Sequence, residues 1–224
     1  MDNTEIDLSN YEKTLKKLRT LLKNNPGEAC EIYFQMGNIY REMNQLSTAK
    51  FYFKKALQID PKFFEARYNL GQIYSLLRKS KKALREYKRA LNINPYDVET
   101  YLNIGVELSS LGKRKEAIKA YKQGLLFDPN SFVLYSNLGV EYADLGKYNQ
   151  ALRCHKKALG LNTYYDNGWY NLACTYALMG RQDKALRALK IAIKLNEENR
   201  KFAAKDPDFM NIKGTKAFQD LIEG

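Results

Sequence analysis

One histidine, one tryptophan, three cysteines and five prolines are all that the 224 residues hold of these types, and each scarcity excludes a kind of chemistry. His155 stands alone, with no Ser-His-Asp order, phosphate loop or metal-ligand spacing around it, so no catalytic residue, metal or cofactor is expected. Cys30, Cys154 and Cys174 are odd in number and widely spaced, with no CxxC pair. That argues against a disulfide framework or a zinc site and for reduced thiols used as small packing residues. No apolar run is long enough to cross a bilayer. The start, Met1-Asp2-Asn3-Thr4-Glu5, is acidic and polar, unlike a secretory signal or a transit peptide. A cytoplasmic location is the default expectation.

What the chain does have is a beat of 34 residues. Counted from Cys30, Phe64, Val98, Phe132 and Asp166, the seventh position is Met36, Leu70, Ile104, Leu138 and Leu172. The eighth is Gly37, Gly71, Gly105, Gly139 and Ala173, and the twentieth is alanine in every unit: Ala49, Ala83, Ala117, Ala151 and Ala185. Tyrosine fills the eleventh position except at Leu108, and Ala or Gly the twenty-seventh. Pro61, Pro95 and Pro129 mark the thirty-second before Thr163 and Glu197 break the pattern. A period of this length denotes a stack of supersecondary units that bury each other's apolar faces, and such an array counts as one continuous unit.

Two apolar stripes at helical spacing recur in each unit. They predict a first helix over positions one to thirteen, as in 64–76, and a second over seventeen to twenty-nine, as in 80–92. Gly112, Gly146 and Gly180 fall where a left-handed residue would end the first helix, and the prolines follow the second. The small residue at position eight is expected to face the alanine at twenty, letting the two helices approach closely. Residues 8–23 predict an amphipathic helix ending before Pro26, a cover for the first unit. After Asn199 the pattern dissolves; Asp206 and Asp208 flank a proline and read as turn and cap residues. Phe218, Leu221 and Ile222 supply a last apolar face.

The pattern resembles the tetratricopeptide repeat. The likeness covers residues 30–199 in five units, between an N-terminal capping helix (1–29) and a C-terminal capping segment (200–224). Leu108, Gly124, His155, Leu189 and the missing prolines depart from the family pattern. The resemblance implies an all-α fold: a right-handed superhelical α-solenoid of antiparallel helix pairs with N- and C-terminal capping helices. First helices would line a concave groove and second helices face outward.

Position six of the first helices is Gln35, Asn69, Asn103, Asn137 and Asn171. Asparagine is a poor helix former, and by helical geometry this position points away from the packed positions four, seven, eight and eleven. A carboxamide both donates and accepts, so a row of them can grip the backbone of an extended peptide. The alternative is that duplication copied Asn from unit to unit. The row resembles the asparagine ladder of the tetratricopeptide superhelix in O-linked N-acetylglucosamine transferase. Asn38 and Gln72 at position nine, with Tyr68 and Tyr170 at position five, extend the candidate site. Family members that clamp a chaperone's C-terminal carboxylate use three cations besides two asparagines. The corresponding places hold Phe34, Asn38, Asn69, Glu99 and Asn103, so the cations are missing.

Charge divides by helix. The first helices carry Glu31, Glu65, Glu99, Glu107 and Glu141, from which an acidic groove is expected. The second helices carry most of the lysines and arginines behind a net charge of +12. A solvated lysine-rich surface is the preferred reading of that basic face, and a nucleic-acid-associated scaffold the alternative. The functional expectation is a non-catalytic protein-protein interaction scaffold or adaptor holding a peptide segment of a partner. Self-association stays open, since stacked helices with incomplete caps can pair end to end.

Overall fold

The computed structural model describes the backbone of residues 3–223 and side chains from residue 8 onward. Met1, Asp2 and Gly224, and the side chains of the acidic start, therefore lie outside the described residues. All regular structure among the described residues is helical. The chain divides between Leu111 and Gly112 into two compact units, so the third repeat is shared: its first helix belongs to one unit and its second to the other.

The first unit holds α1 (Asn3–Asn24), α2 (Ala29–Glu42), α3 (Leu46–Ile59), α4 (Phe64–Leu76), α5 (Ser80–Leu91) and α6 (Val98–Ser110). Each of these helices packs on the next, joined by short connections. Leu15 and Leu18 of α1 are buried and cover the first repeat, while Leu8 and Leu21 stay exposed.

The second unit holds α7 (Arg114–Phe127), α8 (Phe132–Asp144), α9 (Tyr148–Leu161), α10 (Asp166–Leu178), α11 (Gln182–Leu195), α12 (Glu198–Ala203) and α13 (Lys216–Glu223). A single 3-10 turn, Pro207–Phe209, precedes α13. The C-terminal cover is a small core of its own: Ala203, Phe209, Ile212 and Phe218 are buried against α10 and α11. The Arg200 guanidinium donates to the Leu221 carbonyl at 2.8 Å, tying α12 to α13.

The nearest neighbour of the glycine at position eight is a ring on the second helix. A Cβ on Gly37 would lie 2.6 Å from the Phe53 ring, one on Gly71 2.5 Å from Tyr87, and one on Gly139 2.4 Å from His155. These rings stand at position twenty-four. The glycine is therefore a seat for the ring. The fifth repeat completes the logic: Leu189 replaces the ring, and Ala173 replaces the glycine. Volume lost on one helix is regained on the other, as close packing requires.

Two backbone devices recur in every repeat. The second residue past the first helix has positive φ: Asn44 (56°), Arg78 (54°), Gly112 (71°), Gly146 (70°) and Gly180 (68°). The three glycines were legible; Asn44 is of a type that tolerates this conformation, whereas Arg78 adopts it against the steric preference of L-residues. After the second helix, the side-chain oxygens of Asp60, Asn94, Asp128, Asn162 and Asn196 each accept the backbone N–H two residues on, at 2.8–3.2 Å. These turns occur with and without the following proline, so α9 and α11 end on schedule although Thr163 and Glu197 replace it.

Candidate functional site

In the first unit the position-six amides of α4 and α6 meet the preceding first helix. Asn69 donates to the Asn38 side-chain oxygen at 2.8 Å, and Asn103 donates to the Tyr68 hydroxyl at 2.9 Å. Gln72 donates to the same hydroxyl at 3.2 Å while its own oxygen accepts from Arg41 at 2.9 Å. The result is a continuous polar strip: Arg41, Gln72, Tyr68, Asn103. Burial, with Glu99 nearby, raises the Tyr68 pKa against the opposing pull of Asn103. The phenol therefore stays protonated at neutral pH and, accepting two bonds, still has a proton to give. Gln35 is exposed and donates to Glu31 at 3.1 Å. Asn69 is buried at 8% exposure, deeper than a freely presented amide.

The second unit repeats the arrangement in part. Asn171 donates to the Ser136 hydroxyl at 3.1 Å, and Asn137 donates back to the Val133 carbonyl of its own helix at 2.9 Å. Tyr170 turns toward the C-terminal cover: its hydroxyl donates to Asp206 at 2.7 Å, and its ring meets Phe209 edge-on. Each position-six side chain thus spends one N–H on a neighbour, out of the two N–H groups and one oxygen an amide carries. The partners at positions five and nine lie 35 or 31 residues away in sequence, a relation that can be read only once the repeats are laid side by side.

The acidic character of this face is narrower than the sequence suggests. Glu31, Glu65 and Glu99 are exposed. Glu107 and Glu141 sit at position ten, on the packed side, and are buried at 4% and 2% exposure. Arg114 reaches the Glu141 carboxylate at 3.4 Å. Two glutamates are therefore removed from the expected acidic wall. Glu86 on α5 is another buried carboxylate, held by Arg67 at 3.2 Å, Arg85 at 3.0 Å and Arg89 at 3.4 Å. On the second helices, Lys82, Lys122 and Lys184 lie over the rings of Tyr74, Tyr142 and Tyr176 at 5.8–5.9 Å. Part of the basic surface is thus engaged in packing.

The remaining chemistry-bearing residues are structural. His155 is fully buried with neither ring nitrogen hydrogen-bonded, and burial lowers its pKa to about 4. Burial raises the Cys154 thiol to about 11 and pushes Cys174 far above its ordinary range, the reverse of an activated thiolate. The Cys174, Asp206 and Asp208 donor atoms lie within 4.8 Å of one another, the one grouping among the described residues with metal-ligand proximity. The Asp206 carboxylate is in use as the sequence suggests: it accepts the Asp208 N–H at 2.9 Å and caps the 3-10 turn.

No helix among the described residues is long and apolar enough to cross a membrane. No curated protein matches the chain. Models of the tetratricopeptide repeat match residues 30–63 and 132–163, 52–85, 98–131, and 167–199. Among solved structures, the type IV pilus biogenesis factor PilW is similar at TM-score 0.75 and 22% identity, over 86% of this chain and 90% of that one. YrrB, described as a TPR protein with an unusual peptide-binding site, is similar at TM-score 0.66 and 23% identity, over 81% and 93%. MamA is similar at TM-score 0.68 and 22% identity, over 79% and 96%. These likenesses concern the fold. With helix pairs recurring every 34 residues, glycine seats for rings and repeat models matching most of the chain between residues 30 and 199, the chain belongs to the tetratricopeptide repeat family.

Proposed function

We propose that this chain is a non-catalytic interaction module whose first-helix face holds an extended peptide segment of a protein partner. One observation carries the reading: the polar strip of Gln72, Tyr68 and Asn103 is prearranged by its own hydrogen bonds yet half-buried rather than sealed. Preordered amides lose little side-chain entropy on binding. Their remaining N–H groups and oxygens match the alternating donors and acceptors of a peptide backbone. Gln35, Asn38 and Asn69 extend this surface in the first unit; Asn137, Asn171 and Tyr170 offer the same chemistry in the second. The exposed Glu31, Glu65 and Glu99 favour neutral or basic segments over acidic ones. The peptide-binding site named for YrrB and the repeats-and-caps organisation support a binding role over a catalytic one.

The test is an array of extended peptides probed with the wild-type chain and with Asn103→Ala/Asn137→Ala. Neutral or basic peptides should be captured, and the double variant should weaken capture at least tenfold with helicity intact. Undiminished capture by the folded variant, or none by the wild type, defeats the reading. Retention of RNA or duplex DNA in a gel shift at physiological salt would instead favour the scaffold that uses its basic second helices.

A further inference from the structure

Equivalent crevices, each between two consecutive second helices and the first helix beneath them, lie one in the first unit and one in the second, with opposite chemistry. Between α3 and α5 it measures about 300 Å³ and contains the Arg67–Glu86–Arg89 network. Between α9 and α11 it opens to about 530 Å³. The four places that close the first crevice are altered in the second: Arg67 becomes Trp169, Glu86 becomes Ala188, Arg89 becomes Ile191, and Gln58 becomes Gly160. A charged plug is replaced by an apolar floor with one side chain deleted.

What remains polar lies on the rim. Lys156 stands on α9, and Lys184 and Arg187 on α11; all three are exposed, and no carboxylate lines the opening. The Trp169 indole N–H is already satisfied by the Thr163 carbonyl at 2.8 Å, which leaves its ring for apolar contact. The volume lies in the range of ligand-holding clefts. Cations on both walls of an apolar floor fit a segment with an apolar stripe flanked by acids on either side, whereas an acyl carboxylate carries its charge at one end.

We propose that this crevice docks an acidic amphipathic segment of a partner protein, its apolar side chains against Trp169 and Ile191 and its carboxylates beside Lys156, Lys184 and Arg187. This surface lies on the second helices and is independent of the amide strip.

Trp169 is the chain's only tryptophan, so its emission reports occupancy directly in the full-length protein. The probe is a synthetic helical peptide with leucines along one face and glutamates on both flanks; its lysine-for-glutamate twin and oleate serve as controls. A saturable emission shift is expected with the acidic peptide, at least tenfold weaker with the lysine twin and weakened by added salt. Gly160→Gln restores the residue found at the equivalent place in the first crevice. Nothing lies within 4 Å of the added Cβ, so the fold is retained, and binding should fall at least tenfold. Lys156→Glu/Arg187→Glu should do the same. Undiminished binding by both variants, no shift with the acidic peptide, or a shift with oleate alone overturns the proposal.

Discussion

His155→Phe isolates the energetic consequence of placing an imidazole where other repeats place Phe53 or Tyr87. The side chain is fully buried against Gly139, with both nitrogens lacking a partner. Burial holds its folded pKa at about 4 against the ordinary 6.5. The unfolded chain therefore takes up a proton first as pH falls. Stability is intact above pH 6.5 and is lost progressively toward pH 4. A gap of about 2.5 pKa units corresponds to about 3 kcal/mol, nearly all of it expressed between pH 7 and pH 4. Phenylalanine, which cannot titrate, removes this loss. At neutral pH it also removes two unsatisfied polar atoms, a gain of about 1–3 kcal/mol, offset in part by its larger volume against Gly139. Urea unfolding followed by far-UV circular dichroism, at intervals from pH 7 to pH 4, gives the difference between variant and wild type while carboxylate effects common to both cancel. The difference should widen by about 3 kcal/mol toward pH 4. A flat difference curve would mean that the imidazole reaches water or a partner in the folded state, and the dry, neutral environment argued here would be wrong.

Arg78→Gly should stabilise the protein by about 1 kcal/mol, because Arg78 holds φ at 54° where an L-residue is strained, whereas Gly146→Ala should cost a similar amount; thermal melts decide both. Gly71→Ala should destabilise by about 1–3 kcal/mol through the Tyr87 ring, and adding Tyr87→Leu, the combination found at Ala173 and Leu189, should recover part of the loss. Arg67→Met should cost about 3 kcal/mol by removing the most buried partner of Glu86. Arg67→Met/Glu86→Leu should return most of that, read as a double-mutant cycle in urea. If the double variant is no better than the single one, the carboxylate is not the source of the penalty.

The helices and their lengths were legible because the 34-residue beat is carried by small and aromatic residues whose spacing leaves little choice of helix face. Three of the five left-handed turn residues were legible as glycines; Asn44, of a type that tolerates positive φ, and Arg78, of a type that does not, went unread. An Asp or Asn at position thirty-one precedes each proline in the sequence, but its role in ending the helix emerges only where Thr163 and Glu197 replace that proline and the helix still stops. The position-six row was legible as a row. Its hydrogen bonds to Asn38, Tyr68 and Ser136 were not, because helical periodicity says which way a side chain points and nothing about what the adjacent repeat sets opposite it. Glu107 and Glu141 were misplaced for a related reason: a charge is read as solvent-facing until the structure supplies the neighbouring packing that encloses it. The apolar crevice beside Trp169 went unread because its signal lies in comparing repeats at four scattered places.

The match between a bare backbone on one helix and a ring on its partner also limits how such chains can be recombined. Grafting the helix that bears Ala173 onto the partner that bears Tyr87 would drive a methyl group into the ring, and the reverse exchange would leave a hollow beside Leu189. Viable crossovers must therefore fall between whole helix pairs, and the loop closing each pair with Asp60, Asn94, Asp128, Asn162 or Asn196 is the seam at which such a protein can be lengthened or shortened without repacking its interior.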